Sequence, residues 1–254
     1  ASSVHAEGRR SRGALERARR ALASAIGSGS GELVFTGSAT EANNLALKGA
    51  LLGPRGSERP RGLVSAAAHP SALEPARWLG ERFNKGEDVA LAVDAQGLVC
   101  RAALREALTD DVLVVSIIAA NNETGVIEDV SELAAAAHEV GAWLHVDAAQ
   151  CLGRVPVDIS AWDADLVTLS AHKAGGPRGV GALWVRDGVS LAPLHHGGHQ
   201  ERNRRGGTED VLGVVGFAAA VEAATKELGA EAHRQRELVT ALWERISREI
   251  PDAV

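Results

Sequence analysis

"DVLVVSIIAANNETGVIEDVSELAAAAHEVGAWLHVDAAQ", residues 111–150, sets two near-continuous apolar runs on either side of a helix-patterned segment. Runs of this kind, without polar alternation, are strands covered on both faces, the signature of parallel sheets. The middle segment spaces alanines and leucine against charges at helical intervals and closes on Gly141, a residue suited to ending a helix. Strand, helix and strand in that order make a parallel pair with a helical crossover. The rest of the chain repeats the pattern. Apolar runs recur at 31–37, 61–67, 88–94, 164–171 and 180–185, and helical spacing fills 11–26, 39–52, 71–84, 101–108 and 129–140. Ser71 is the expected cap of the third of these helices. The runs at 164–171 and 180–185 lie too close together for a helical crossover, so they are expected to pair antiparallel and make the sheet mixed. A polar, glycine-rich segment follows at 195–210, and helical periodicity then continues from 211 to 250 as a bridge to whatever lies beyond.

Bulk properties narrow the partners. The 254 residues are 45% hydrophobic and 24% charged, an ordinary globular balance. A net charge of -6 gives no broad field for nucleic acid or an anionic membrane, and no run of 18 uncharged apolar residues occurs. The basic stretch from Arg9 to Arg20 reads as a solvated helix face. Two cysteines, Cys100 and Cys151, show no metal or disulfide spacing and fit a reducing, cytoplasmic setting. The opening "ASSVHAEGRRS" reads like the middle of a protein and "REIPDAV" stops where a strand is about to begin, so a fragment is expected.

Polar clusters stand where the runs end, which in an open α/β sheet is where ligands collect. "TGSATEANN" (36–44) follows a strand and opens a helix, offering Gly37, Ser38, Ala39 and Thr40 with free N–H groups, as a helix cap or an anion site. His69 ends the second run, Asn121 and Asn122 the fourth, and Asp147 the fifth, with Gln150 three residues on. "SAHKAGG" puts Lys173 at the mouth of the sixth run, where an ammonium is expensive to bury unless its amine is wanted. A lysine amine, a buried carboxylate and neighbouring polar groups are what a pyridoxal phosphate site requires. "HHGGH" (195–199) lacks a carboxylate and a structured frame, so no metal is assigned to it.

The segments "ATEANN", "AHPSALEP", "NNETGVIEDVSELAAAAHEVGAWLHVDAAQ", "SAHKAGGPRGVGAL" and "HHGGHQERNRRGGTED" resemble, in order, the cysteine desulfurases of the class V, fold-type I pyridoxal phosphate enzymes. The resemblance implies a three-layer α-β-α large domain in which the seven runs form one mixed sheet. It implies a PLP-binding domain over 1–215, incomplete at its N-terminus, and a bridging helix over 216–254 that starts a small domain. Lys173 then matches the Schiff-base lysine and proton shuttle, Asp147 the partner of the pyridine nitrogen, and His69 the histidine stacked on the ring. Asn122 and Gln150 match contacts to the phenolic oxygen; Ala39 (through its N–H), Thr40, Ser170 and His172 match phosphate ligands. Thr208 matches a threonine that reaches the phosphate of a neighbouring subunit, implying a homodimer. The implied reaction converts L-cysteine to L-alanine and an enzyme persulfide that feeds a sulfur-accepting protein. The family's nucleophilic cysteine and carboxylate-binding arginine have no match here, and Cys151 is expected to be a buried structural thiol. Another class V activity (a C–S or C–Se lyase, an aminotransferase or an epimerase-like enzyme) or a non-catalytic cofactor- or partner-binding homologue are the alternatives.

Overall fold

The computed structural model describes residues 5–28, 33–83, 90–250 and 253. In chain order the elements are α1 (Ala6–Ala25), β1 (Leu33–Thr36), α2 (Ala39–Leu51), β2 (Arg61–Ser65), α3 (Pro70–Phe83), β3 (Ala90–Leu91), α4 (Arg101–Ala107) and β4 (Val112–Ile118). Then come α5 (Val130–Glu139), β5 (Trp143–Asp147), α6 (Ile159–Trp162), β6 (Leu166–Ser170), β7 (Gly181–Val185) and α7 (Val211–Glu249). Each apolar run supplies one strand. The outer parts of the first and third runs, 31–32 and 88–89, lie outside the described residues, as do 251–252 and 254 of the expected terminal strand.

The sheet has seven strands in the order β1-β7-β6-β5-β4-β2-β3. β6 pairs with β7 antiparallel, as the short connection demanded, and β7 is antiparallel to β1 as well. The other pairs are parallel. Alternate residues feed two cores. Val115, Ile117, Leu144, Val146, Val167 and Leu169 pack with α1, α5 and α7 on one face. Val114, Trp143, Leu166 and Leu183 pack with α2 and α3 on the other. The layers are therefore α-β-α. Gly141, at φ 72°, closes α5 as expected, its N–H reaching the His138 carbonyl at 2.9 Å.

Two local expectations are corrected. Ser71 does not cap α3. The helix starts a residue earlier, at Pro70, and the His69 ring caps it, with Nδ1 accepting the Ser71 N–H at 3.1 Å. A proline in the first turn needs no hydrogen-bond acceptor, which moves the helix start forward. The basic stretch is not wholly solvated either. α1 begins at Ala6, and Arg19 points inward to a bidentate pair with Glu201, with side chains 7% and 2% exposed. Glu201 also accepts the Phe35 N–H at 2.9 Å. Its φ of 42° opens three consecutive left-handed residues, so this buried pair fastens the 195–210 segment to α1 and β1.

One close approach fixes the geometry at the C-terminal sheet edge. Gly181 pairs with Thr36 on one side and Ser170 on the other, while the start of α2 lies against it. A Cβ there would meet the carbonyl carbon of Ser38 at 2.6 Å and the Ala39 nitrogen at 2.8 Å, both backbone atoms. Gly181→Ala should therefore destabilise the fold by roughly 1–3 kcal/mol, the usual cost of overpacking, and lower the melting temperature. A thermal unfolding curve matching the parent's would show that α2 and β7 part without penalty.

α7 runs unbroken for 39 residues. Val214, Phe217, Ala218 and Val221 pack on the core, and the helix lies along α1 and against the turn at 172–174. Leu238, Val239, Leu242 and Trp243 further along it are exposed. Among the described residues no helix is long and apolar enough to cross a membrane.

Candidate active site

β1, β2, β4, β5 and β6 run the same way, so their C-terminal ends open on one edge. The register is tight there: Asp147 pairs with Ile118 and with Thr168, and Ser170 with Gly181. The expected site residues at 39–40, 69, 122, 147–150 and 170–173 all end or follow strands that close on this edge.

Asp147 is its buried centre, 4% exposed. Oδ2 accepts from Asn43 Nδ2 at 2.7 Å and Oδ1 from the Ala149 N–H at 3.0 Å. Burial raises its pKa, and the Asn43 and Ala149 hydrogen bonds and the nearby His69 pull the other way without cancelling it. Among the described residues no lysine or arginine pairs with it. A buried carboxylate held only by neutral donors is unfavourable unless a cation completes its surroundings.

Asn43 was not among the residues expected at the site. It is fully buried on α2 and donates also to Ser71 Oγ at 2.8 Å, which in turn lies 2.8 Å from His69 Nδ1. A signal existed: Asn43 shares a helical face with Ala39, Ala46, Leu47 and Ala50, whereas Asn44 is turned away from it. His69 itself is exposed. Of the asparagine pair after β4, Asn121 is spent on the turn, donating to the Ala67 carbonyl at 3.0 Å and accepting the N–H groups of Glu123 and Thr124. Asn122 is left exposed beside it.

The other half of the edge is the start of α2. Ser38 caps α2 by accepting the Glu41 N–H at 3.1 Å, and Glu41 reaches back to the Gly37 N–H at 2.7 Å. Ala39 and Thr40 hold the first two helical positions, whose N–H groups have no partner within a helix. Burial alone would raise the Glu41 carboxyl, but Arg205, the Gly37 N–H and His195 hold it below the ordinary range. Arg205 is thus committed to Glu41 at 2.9 Å. Through Gly181 the start of α2 adjoins Ser170, whose Oγ lies 3.1 Å from His172 Nδ1. Lys173 follows, exposed on a single 3-10 turn that ends at Gly175, φ 81°. Gly175 and Gly179, both with positive φ, shape the return to β7 as the glycine-rich turn required.

Gln150 sits half-buried in the turn after Asp147, and Thr208 is exposed in the loop before α7. Cys151 is buried, and burial followed by the nearby Asp147 charge pushes its thiol up to about 12, so it is an inert structural thiol as expected. Behind the site, Ser116, His145 and Thr168 form a buried row across β4, β5 and β6 at 2.8 and 3.1 Å. Burial lowers the His145 pKa to about 3, which keeps the ring neutral.

A mostly parallel seven-stranded sheet between helical layers, with a lysine turn after β6 and a buried carboxylate one strand away, defines the large domain of a fold-type I pyridoxal phosphate enzyme. The chain belongs to the aminotransferase class-V family, whose profile matches residues 1–252. Within that family it resembles cysteine desulfurases. It is 41% identical over 253 residues to cysteine desulfurase IscS of Dictyoglomus turgidum, covering 99% of this chain and 63% of the relative. A solved NifS-like protein superposes with a TM-score of 0.90 at 33% identity, over 97% of this chain and 67% of that one. SspA, solved in complex with cysteine, gives a TM-score of 0.79 at 33% identity, over 87% of this chain and 63% of that one.

Proposed function

We propose that residues 1–215 are the cofactor-binding domain, and 216–254 the bridging helix, of a pyridoxal phosphate-dependent cysteine desulfurase. The observation that carries this reading is Asp147, a buried carboxylate with neutral donors only, on the same sheet edge as Lys173 and the anion-ready start of α2. The residues fit the cofactor at both ends: a protonated pyridine nitrogen would supply the cation Asp147 lacks, and Ala39, Thr40, Ser170 and His172 would hold the phosphate.

When bound, pyridoxal phosphate supplies an electron sink for the carbanion formed at the substrate Cα. Asp147 keeps a proton on the ring nitrogen by its charge. Lys173 Nζ is the attachment point for the cofactor and the base that takes the Cα proton. His69 would hold the ring, and Asn122 and Gln150 would hold its phenolic oxygen. The C–S bond of L-cysteine breaks and an S–S bond forms on an acceptor thiol. Of the two thiol hydrogens, one stays on the terminal sulfur and the other is balanced by the new C–H of L-alanine. The inert Cys151 does not serve as that thiol. Cys100 caps α4 beside the edge strand β3, away from β6, so on this reading the acceptor thiol comes from outside residues 1–254.

Thr208, exposed and distant in sequence from the phosphate ligands, is assigned to the phosphate of a second subunit, making the active species a homodimer that delivers sulfur to an acceptor protein. The free thiols of Cys100 and Cys151 support a cytoplasmic setting. The test uses the full-length protein with PLP, L-cysteine and a thiol reductant. Sulfide and alanine in equal amounts are expected, with borohydride fixing the cofactor on the Lys173 peptide and sedimentation at twice the chain mass. An adduct on any other lysine, or no sulfide from the PLP-loaded protein, overturns the reading; a fully active monomer overturns the role of Thr208.

A further inference from the structure

We infer that Asn43 and Ser71 are positioning residues that together favour the charge of Asp147 and set the tautomer of His69, through one directed chain of hydrogen bonds. The inference rests on the proposed cofactor site, but the chain itself is read from the protein alone.

Its direction follows from one fixed donor. The Ser71 backbone N–H points at His69 Nδ1 at 3.1 Å, so that nitrogen is an acceptor and carries no proton. Ser71 Oγ, 2.8 Å from the same nitrogen, must then donate its only hydrogen to it. With its hydrogen used, Ser71 Oγ accepts from Asn43, at 2.8 Å. The atom of Asn43 facing Ser71 is therefore Nδ2, and its second hydrogen goes to Asp147 Oδ2 at 2.7 Å. The reverse amide orientation would set an oxygen against a carboxylate and against a hydroxyl with no hydrogen to give.

This direction leaves Asn43 Oδ1 buried without a hydrogen-bond partner. An orphaned buried carbonyl is destabilising, and an apolar residue at that position would avoid the loss. The amide is retained against that cost because both its hydrogens are needed. One stabilises the anion of Asp147, and the other turns the Ser71 hydroxyl toward His69. The neutral His69 ring then carries its proton on Nε2, on the side away from the network. A single buried amide thus favours the charged form of the carboxylate and holds the imidazole in one tautomer. The titratable group that acts on Asp147 is His69, ahead of α3, and Asp147 in turn acts on the Cys151 thiol in the turn after β5.

Two measurements test this in the full-length protein. The first needs no cofactor: selective 15N labelling of histidine, with His69 assigned by its loss in His69→Gln, should show Nδ1 unprotonated and Nε2 protonated in the neutral ring. A proton on Nδ1 overturns the network whether or not PLP binds. The second titrates PLP into the parent, Asn43→Leu, Ser71→Ala and Ser71→Thr between pH 6 and pH 9. Asn43→Leu removes a donor to the carboxylate, so the Asp147 pKa should rise further. Its affinity for PLP should fall at least tenfold at the acid end, with the ratio to parent narrowing as pH rises. Ser71→Ala, which keeps the backbone donor and the fold, should show the same trend more weakly, and Ser71→Thr should restore it. A loss that is equal at every pH, or an unchanged affinity in both Asn43→Leu and Ser71→Ala, marks the residues as packing only and overturns the inference. A parent that binds no PLP overturns the cofactor reading instead, and the labelling result then decides the network alone.

Discussion

Lys173→Ala is expected to lower L-cysteine turnover by at least about a thousandfold while leaving the fold intact. A positioned acid–base group contributes about 10²–10⁴-fold, and Lys173 is also the assigned point of covalent attachment, so both contributions vanish with one side chain. The fold should not register the loss. Lys173 is exposed on a short turn and makes no described hydrogen bond or ion pair, and such surface changes stay within about 0.5 kcal/mol. A large kinetic effect with an unchanged melting temperature is therefore the signature. Borohydride should leave no cofactor on the variant, and a small primary amine added to the assay should recover part of the rate. Turnover within tenfold of the parent would remove Lys173 from the chemistry.

Asp147→Asn is expected to slow the chemical step by at least about 100-fold, equivalent to about 2.7 kcal/mol of transition-state stabilisation. The amide preserves size but loses the charge that holds the ring proton. Some loss of stability is expected too, because both Asp147 oxygens accept hydrogen bonds and an amide offers one oxygen to the donors from Asn43 and Ala149. The donor left over costs about 1–3 kcal/mol. Stability alone thus cannot separate a catalytic from a structural Asp147; the rate per folded, PLP-loaded molecule can. Single-turnover alanine formation within threefold of the parent would make Asp147 a fold residue only.

Much of this site could be read along the chain because strand ends mark it. An apolar run that stops at a charged or amide side chain is visible as such, and Asp147, Asn122, His69 and Lys173 each stand at one. Asn43 stands in mid-helix, where a polar residue among alanines looks like a tolerated exception until the carboxylate opposite it is known. Serine commonly caps a helix, so the sequence points to Ser71; the preceding proline starts the helix early and gives that task to the His69 ring. Arg19 stands in a basic run of the kind that is usually solvated, and only its pairing with Glu201, 182 positions away, explains its burial.

The amino-acid order by itself determined seven strands, the helices between them, the antiparallel turn at 171–180 and the residues that could carry chemistry. Burial imposes its periodicity on each segment independently, so these features are local. Strand order is not local: β1 lies beside β7 and β2 beside β4, and no periodicity names a strand's neighbour. The sheet's closure around Gly181 brought Ser170 to the start of α2, and the packing of α2 and α3 on one face brought Asn43 and Ser71 between Asp147 and His69. Hydrogen bonds act over about 3 Å, so a network spanning residues 43 to 147 exists only once the tertiary fold has made those neighbours.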